Sequence, residues 1–133
     1  MSQKYETSFF AGFDDTDLGG VVFFGNYYRI AHKCLESFIR DQGIDWEYWF
    51  QNSEFLVPLA HSEADYKKPL FAGNTYKARV SVENISNSSI IFCYSFLNQK
   101  DEECASLKTV HVFVDKNTFQ SVSVPEKVKT ALS

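Results

Sequence analysis

Residues 26–43 read Asn26-Tyr27-Tyr28-Arg29-Ile30-Ala31-His32-Lys33-Cys34-Leu35-Glu36-Ser37-Phe38-Ile39-Arg40-Asp41-Gln42-Gly43. The apolar members are Tyr27, Ile30, Ala31, Cys34, Leu35, Phe38 and Ile39. That three- and four-residue spacing gathers side chains along one stripe of an α-helix. Arg29, His32, Glu36 and Arg40 fall on the other face. Asn26 has the side chain of an N-cap, and Gly43 permits the turn that ends a helix. A long amphipathic helix near the start of a chain otherwise rich in strand patterns decides the fold class.

Before it, Tyr5, Thr7, Phe9, Ala11 and Phe13 alternate along one side of a strand. After it, Asp45 opens a short second helix over 46–50. Residues 55–66 read as a strand in which Pro58 marks an edge or a bulge. A loop carries Lys68-Pro69 and Ala72-Gly73-Asn74. Tyr76, Ala78, Val80 and Val82 then alternate with Lys77, Arg79, Ser81 and Glu83, as a half-buried strand does. A turn in 84–88, a β run over 89–98, a charged hairpin turn at 99–103 and a last long strand over 104–114 follow, with a short helix after Pro125. The order is strand, long helix, then roughly four antiparallel strands. This is an α+β domain spanning 1–133, with a curled antiparallel sheet packed on one helix. Such a sheet leaves an edge and a face open, so at least a dimer is expected.

Hydrophobic residues make up 44% of the 133, enough for a packed core. The 13 Phe, 7 Tyr and 2 Trp supply ring surface for a core, an interface and a flat ligand pocket at once. The net charge is −4 and no basic run tracks a phosphate backbone, so nucleic acid is a poor partner. Cys34, Cys93 and Cys104 form no CxxC pair and are odd in number, which reads as free thiols in a reducing compartment. No apolar run approaches a membrane span, and Met1-Ser2-Gln3-Lys4-Tyr5 has no signal-peptide character. A cytoplasmic protein is expected, without a membrane association. No His, Cys, Asp or Glu spacing fits a metal cage, so neither metal nor cofactor is expected.

The chemistry concentrates in Asp15-Thr16-Asp17-Leu18-Gly19-Gly20-Val21-Val22-Phe23-Phe24-Gly25-Asn26-Tyr27. A carboxylate lies in a glycine-containing loop, and a helix starts a few residues on. The first amides of a helix lack partners, so they and the helix dipole can polarise a carbonyl and hold an oxyanion. A nearby carboxylate can attack that carbonyl or activate water. Acyl transfer needs both parts, and one loop supplies them. Turn and cap roles account for the same residue types and stand as the competing reading.

The pattern Asp-x-Asp-x-x-Gly-x-Val-x-aromatic-aromatic-x-Asn-Tyr, followed by an amphipathic helix, resembles the signature of the 4-hydroxybenzoyl-CoA thioesterase family of hotdog-fold proteins. The likeness covers nearly the whole chain. It implies an acyl-CoA hydrolase in which Asp17 is the catalytic carboxylate, as nucleophile or general base. The carbonyl-polarising amide matches Phe24, where many relatives carry Tyr; a main-chain donor tolerates that change. Gly20, Val21 and Asn26 fall in the same substrate-contacting stretch, and a homotetramer built as a dimer of dimers is implied. A narrower likeness runs through Phe23-Phe24, His32, Glu36-Ser37, Phe55-Leu56-Val57-Pro58-Leu59-Ala60-His61, Ala64-Asp65-Tyr66 and Pro69. It resembles the branch that hydrolyses 1,4-dihydroxy-2-naphthoyl-CoA in phylloquinone and menaquinone synthesis. Val57 and His61 would then line the acyl pocket from the partner chain. Ser88 and Ser89 match the stretch where relatives touch the CoA phosphates. Benzoyl-CoA relatives carry basic residues there; Lys67, Lys68, Arg79 or Lys108 could substitute. Other thioesters (benzoyl-type, short aliphatic or carrier-protein-bound) and a non-catalytic acyl-CoA-binding module are the alternatives.

Competing roles are assigned residue by residue. Asp14 and Asp15 read as turn residues. Glu36 lies opposite the apolar stripe and reads as a solvated or interface group. His61 alternates with Val57 and Leu59 on one strand face, which suits either an acyl pocket or a dimer interface. His32 and His111 read as structural. No Gly-x-Ser-x-Gly elbow exists, and Cys34 sits in the apolar stripe, where a thiol is inert packing.

Overall fold

The computed structural model describes residues 4–133. Met1 to Gln3, which belong to the segment read as lacking signal-peptide character, lie outside the described residues. Strand β1 (Lys4–Phe10) leads through a one-turn 3₁₀ segment (Phe13–Asp15) to helix α1 (Asn26–Asp41) and the short α2 (Trp46–Phe50). Then come β2 (Phe55–Leu56), β3 (Leu59–Tyr66), β4 (Thr75–Ile85), β5 (Ser89–Leu97), β6 (Glu103–Val112), β7 (Val114–Asp115) and α3 (Glu126–Leu132). The main sheet has the order β1-β4-β5-β6-β3, every pairing antiparallel, and β2 pairs with β7 beside it. The α+β expectation holds: one long helix lies on an antiparallel sheet that stays open at both edges.

The helix stripe explains the core. Tyr27, Ile30, Ala31, Cys34, Leu35, Phe38 and Ile39 are all buried. They meet Tyr76, Ala78, Val80 and Val82 of β4 and Ile90, Phe92, Tyr94 and Phe96 of β5. The alternation of β4 therefore selects its buried face, as a period of two requires. Phe38 has Tyr5 at 5.8 Å and Phe92 at 6.3 Å between ring centroids. Burying each such side chain contributes about 1.5–3 kcal/mol. Gly43 ends α1 with φ +84°. The rings divide between two duties: Phe38, Phe92, Phe96 and Phe113 are fully buried, whereas Phe10, Phe13, Phe23, Phe24 and Phe71 stay exposed.

Three local expectations are corrected. Asn26 is the first residue of α1 rather than its cap; Gly25 holds the cap position and makes no side-chain cap bond. The Asn26 amide instead donates to the Asp15 carbonyl at 2.8 Å, a tertiary partner that outcompetes the local one. The 55–66 strand breaks at Val57-Pro58 into β2 and β3. Finally, Leu59 pairs with His111 but His61 pairs with Val110, a bulge at Ala60. An extra residue reverses the alternation. Leu59 thus shares the inward face of His111, while His61 shares the outward face of Val110, so the two do not lie on one face.

Among the described residues, no helix is long and apolar enough to cross a membrane.

Candidate active site

The loop before α1 is a small hairpin. Thr16 and Val22 form an isolated bridge. The Asp17 amide donates to the Val21 carbonyl at 3.0 Å, and the Phe23 amide to the Asp15 carbonyl at 3.0 Å. At its tip Gly20 adopts φ +79°, a backbone state favourable only to glycine. The Asp17 carboxylate is exposed and accepts the Gly19 amide at 2.8 Å, the local bond that fixes an Asx turn. A bridge from Val21 to Phe71 pins the hairpin onto the loop after β3.

This arrangement forms one wall of a cleft of about 550 Å³. Its lining includes Asp17, Val21, Phe24, Tyr27, Tyr66 and Lys67. The amides of Asn26 and Tyr27 donate back to Phe23 and Phe24. The Phe24 amide donates to no recorded acceptor among the described residues, and a helix begins two residues later. The cleft therefore has both the exposed Asp17 and Phe24, the residue two before the helix start, in its lining; a carboxylate and a main-chain donor are the two parts acyl transfer requires.

Tyr27 and Tyr66 meet edge to face at 4.8 Å at the back of this cleft. Burial raises both phenols above their ordinary value, so they stay protonated. Lys67 and Lys68 stand at the rim, paired with Glu103 and Glu102 respectively. Exposed pairs of this kind are weak, so both ammonium groups can turn to an anionic ligand.

The sequence-derived residues fall into two groups. Asp17, Val21 and Phe24 line the cleft; Gly20 shapes its loop, and Asn26 is occupied with Asp15. Val57, His61, Ser88 and Ser89 lie at the opposite end of the sheet. Val57 precedes β3, while the cleft residues Tyr66 to Pro69 end or follow it. The seven steps of β3 span roughly 23 Å. Ser89 pairs with Val112 at the far end of β5 and β6. His61 is exposed and bonds Glu63 at 3.0 Å. Of the four cations named above, Arg79 and Lys108 lie away from the cleft, bonded to Glu6 and Glu83. Tyr27 and Tyr66 were missed as cleft residues, because only the packing of α1 against the end of β3 brings them together.

The remaining groups take structural roles. Asp15 is buried and tied to Arg29. Glu36 accepts the Trp46 indole at 2.7 Å and holds His32 at 2.9 Å. Burial pushes the Cys34 thiol up to about 11, which keeps it a protonated packing group. Among the described residues, no cluster of His, Cys, Asp and Glu could hold a metal ion.

An open antiparallel sheet around one helix, with a carboxylate loop leading into the start of that helix beside a cleft, is the architecture of a hotdog-fold thioesterase. The chain belongs to the thioesterase-like superfamily, whose sequence pattern matches residues 11–132. Among curated relatives, a 1,4-dihydroxy-2-naphthoyl-CoA hydrolase from Thermosynechococcus vestitus is 28% identical over 114 residues, 86% of this chain and 78% of the relative. One of the same name from Crocosphaera subtropica is 28% identical, covering 84% of this chain and 83% of the relative. Among solved structures, a 1,4-dihydroxy-2-naphthoyl-CoA thioesterase from Synechocystis superposes with a TM-score of 0.91 at 20% identity, over 97% of this chain and 95% of that one. The fold and family expected from residues 15–27 are borne out.

Proposed function

We propose that a dimer of this chain hydrolyses aromatic acyl-CoA thioesters, 1,4-dihydroxy-2-naphthoyl-CoA foremost, to the carboxylic acid and free CoA. The observation that carries this reading is the shared cleft of Asp17 and Phe24. Asp17 either attacks the thioester carbonyl carbon, forming an anhydride that water then hydrolyses, or takes a proton from the attacking water. In both routes the carbonyl oxygen gains negative charge, and the Phe24 amide donates a hydrogen bond to it while the positive end of the α1 dipole stabilises it. Collapse expels the CoA thiolate, which takes a proton. The names carried by the cyanobacterial relatives support the naphthoyl group.

Strand β3 supports the dimer. It is an edge strand, and seven of its eight residues are exposed, with only Ala64 half-buried. Antiparallel pairing of β3 with the same strand of a second copy would join the two sheets about a two-fold axis. That operation sets the start of one β3 against the end of the other. It carries the partner's Val57 and the partner's His61 toward the cleft beyond Tyr66, with the partner's Ser88 and the partner's Ser89 on the same side. Two such dimers would make the tetramer that the likeness implies. A reducing, cytoplasmic setting is supported by three free thiols.

The test is release of CoA thiol from 1,4-dihydroxy-2-naphthoyl-CoA, benzoyl-CoA and short aliphatic acyl-CoAs, with Asp17→Asn alongside. Selective turnover of the naphthoyl ester that depends on Asp17 is expected. An Asp17→Asn protein with undiminished turnover would remove the catalytic role; turnover confined to the other esters would remove the naphthoyl assignment alone.

A further inference from the structure

Asp15 joins three segments that the sequence separates. Its side chain accepts the Gly12 amide at 3.0 Å and pairs with the Arg29 guanidinium. Its carbonyl accepts both the Asn26 side-chain amide at 2.8 Å and the Phe23 backbone amide at 3.0 Å. The residue is only 8% exposed. Asn26 and Arg29 are three apart on α1, so one helix face presents both donors to the same residue.

The consequence is geometric. Asp15 begins the arm of the hairpin that carries Asp17, and Phe23 ends the arm that leads to Phe24. The Phe23-to-Asp15 bond closes the base between the arms. Asn26 and Arg29 clamp that base to the first turn and a half of α1. The separation between the Asp17 carboxylate and the Phe24 amide is therefore held at its base by Asp15, while the Asx turn, Gly20 and the Val21–Phe71 bridge shape the tip.

We propose that Asp15 and Arg29 form a positioning clamp that holds Asp17 in register with the Phe24 amide. This rests on the reading of Asp17 and Phe24 above. Asp15 does not line the cleft and reaches it only through its bond to Phe23, so it acts through other residues rather than on the reacting atoms. A misplacement of about 1 Å between reacting groups costs on the order of a hundredfold in rate. The clamp should therefore act on turnover and leave binding largely intact.

The experiment compares Asp15→Asn, Arg29→Met, Arg29→Lys and Asn26→Ala with Asp17→Asn in thiol release from 1,4-dihydroxy-2-naphthoyl-CoA. Amide exchange is read by mass spectrometry on the same proteins. The expected result is a fall in kcat of roughly ten- to a hundredfold in Asp15→Asn and Arg29→Met, with KM within about a factor of two. Arg29→Lys restores most of the rate, and exchange rises in residues 16–24 but not in β4 and β5. Wild-type kcat in both Arg29→Met and Asn26→Ala overturns the clamp, whatever the folding of Asp15→Asn. So does a loss of kcat accompanied by faster exchange throughout the sheet, which marks mere destabilisation. If Asp17→Asn retains full rate, the catalytic reading itself has failed; if it is inactive while the clamp variants are normal, only the clamp has.

Discussion

The Nε2 atom of His111 lies 3.1 Å from the Thr109 hydroxyl, which is itself 2.8 Å from the Tyr94 phenol. This polar chain runs through the core between β5 and β6, and the His111 ring also bonds the Val57 backbone. Burial pushes His111 down from its ordinary 6.5 to about 4, with backbone bonding opposing and His32 reinforcing the shift.

The linkage has a definite sign. Between pH 6.5 and about 4 the unfolded chain binds a proton at this site and the folded chain does not. Stability is undiminished above pH 6.5, falls as pH drops toward about 4, and levels off below. At about 1.4 kcal/mol per pH unit, the loss is on the order of 3 kcal/mol. His111→Gln keeps a group able to bond Thr109 and removes the titration. Urea midpoints at pH 7 and pH 4.5 should separate less in this variant than in the wild type. An equal separation in both would refute the role of His111.

The free edge of β3 predicts a second outcome. Lys67 donates its amide to the Cys104 carbonyl. Antiparallel bonding repeats every two residues, so the amides of Asp65, Glu63 and His61 face β6 and those of Ser62 and Ala64 face outward. Ser62→Pro should leave the β6 ladder intact but block pairing with a second copy. Sedimentation should show a folded monomer with little thioesterase activity. Glu63→Pro should instead lose a ladder bond and unfold at lower temperature. A Ser62→Pro protein that remains a dimer would exclude β3 from the interface.

Gly20 and Gly43 make a matched pair. Both have positive φ (+79° and +84°), and a Cβ on either would meet nothing within 4 Å. Alanine at each should therefore cost only backbone strain, about 1–2 kcal/mol in chemical denaturation. Gly20 lies in the loop that carries Asp17, and Gly43 lies past the far end of α1. Gly20→Ala should lower kcat as well as stability, whereas Gly43→Ala should lower stability alone. Equal activities in the two variants would show that the loop tip does not govern catalysis.

Phe38 is fully buried between Tyr5 and Phe92. Truncation to alanine removes most of its buried ring and leaves a cavity between α1 and the sheet. Phe38→Ala should lose about 3–5 kcal/mol by urea titration. A loss below about 1 kcal/mol would mean that the helix settles onto the sheet without it.

Local periodicity determined much of this protein. The stripe from Tyr27 to Ile39 specified the helix and its buried face, and the alternation from Tyr76 to Val82 did the same for β4, because each pattern repeats with the geometry of its own backbone. The motif from Asp15 to Tyr27 likewise placed a carboxylate and a helix start within one short loop. Pairing between distant segments decided the rest. The bulge at Ala60 turns His61 outward; Pro58 announces an edge or a bulge in this stretch, but not which residue is inserted or which side chains it reverses, since register belongs to β3 and β6 together. Asn26 has the composition of a cap but bonds Asp15, a partner available only once the hairpin folds back on α1. The meeting of Tyr27 with Tyr66 depends in the same way on packing across the chain. Short-range order is written in neighbouring residues, whereas the choice among tertiary partners depends on which distant surfaces the fold brings into contact.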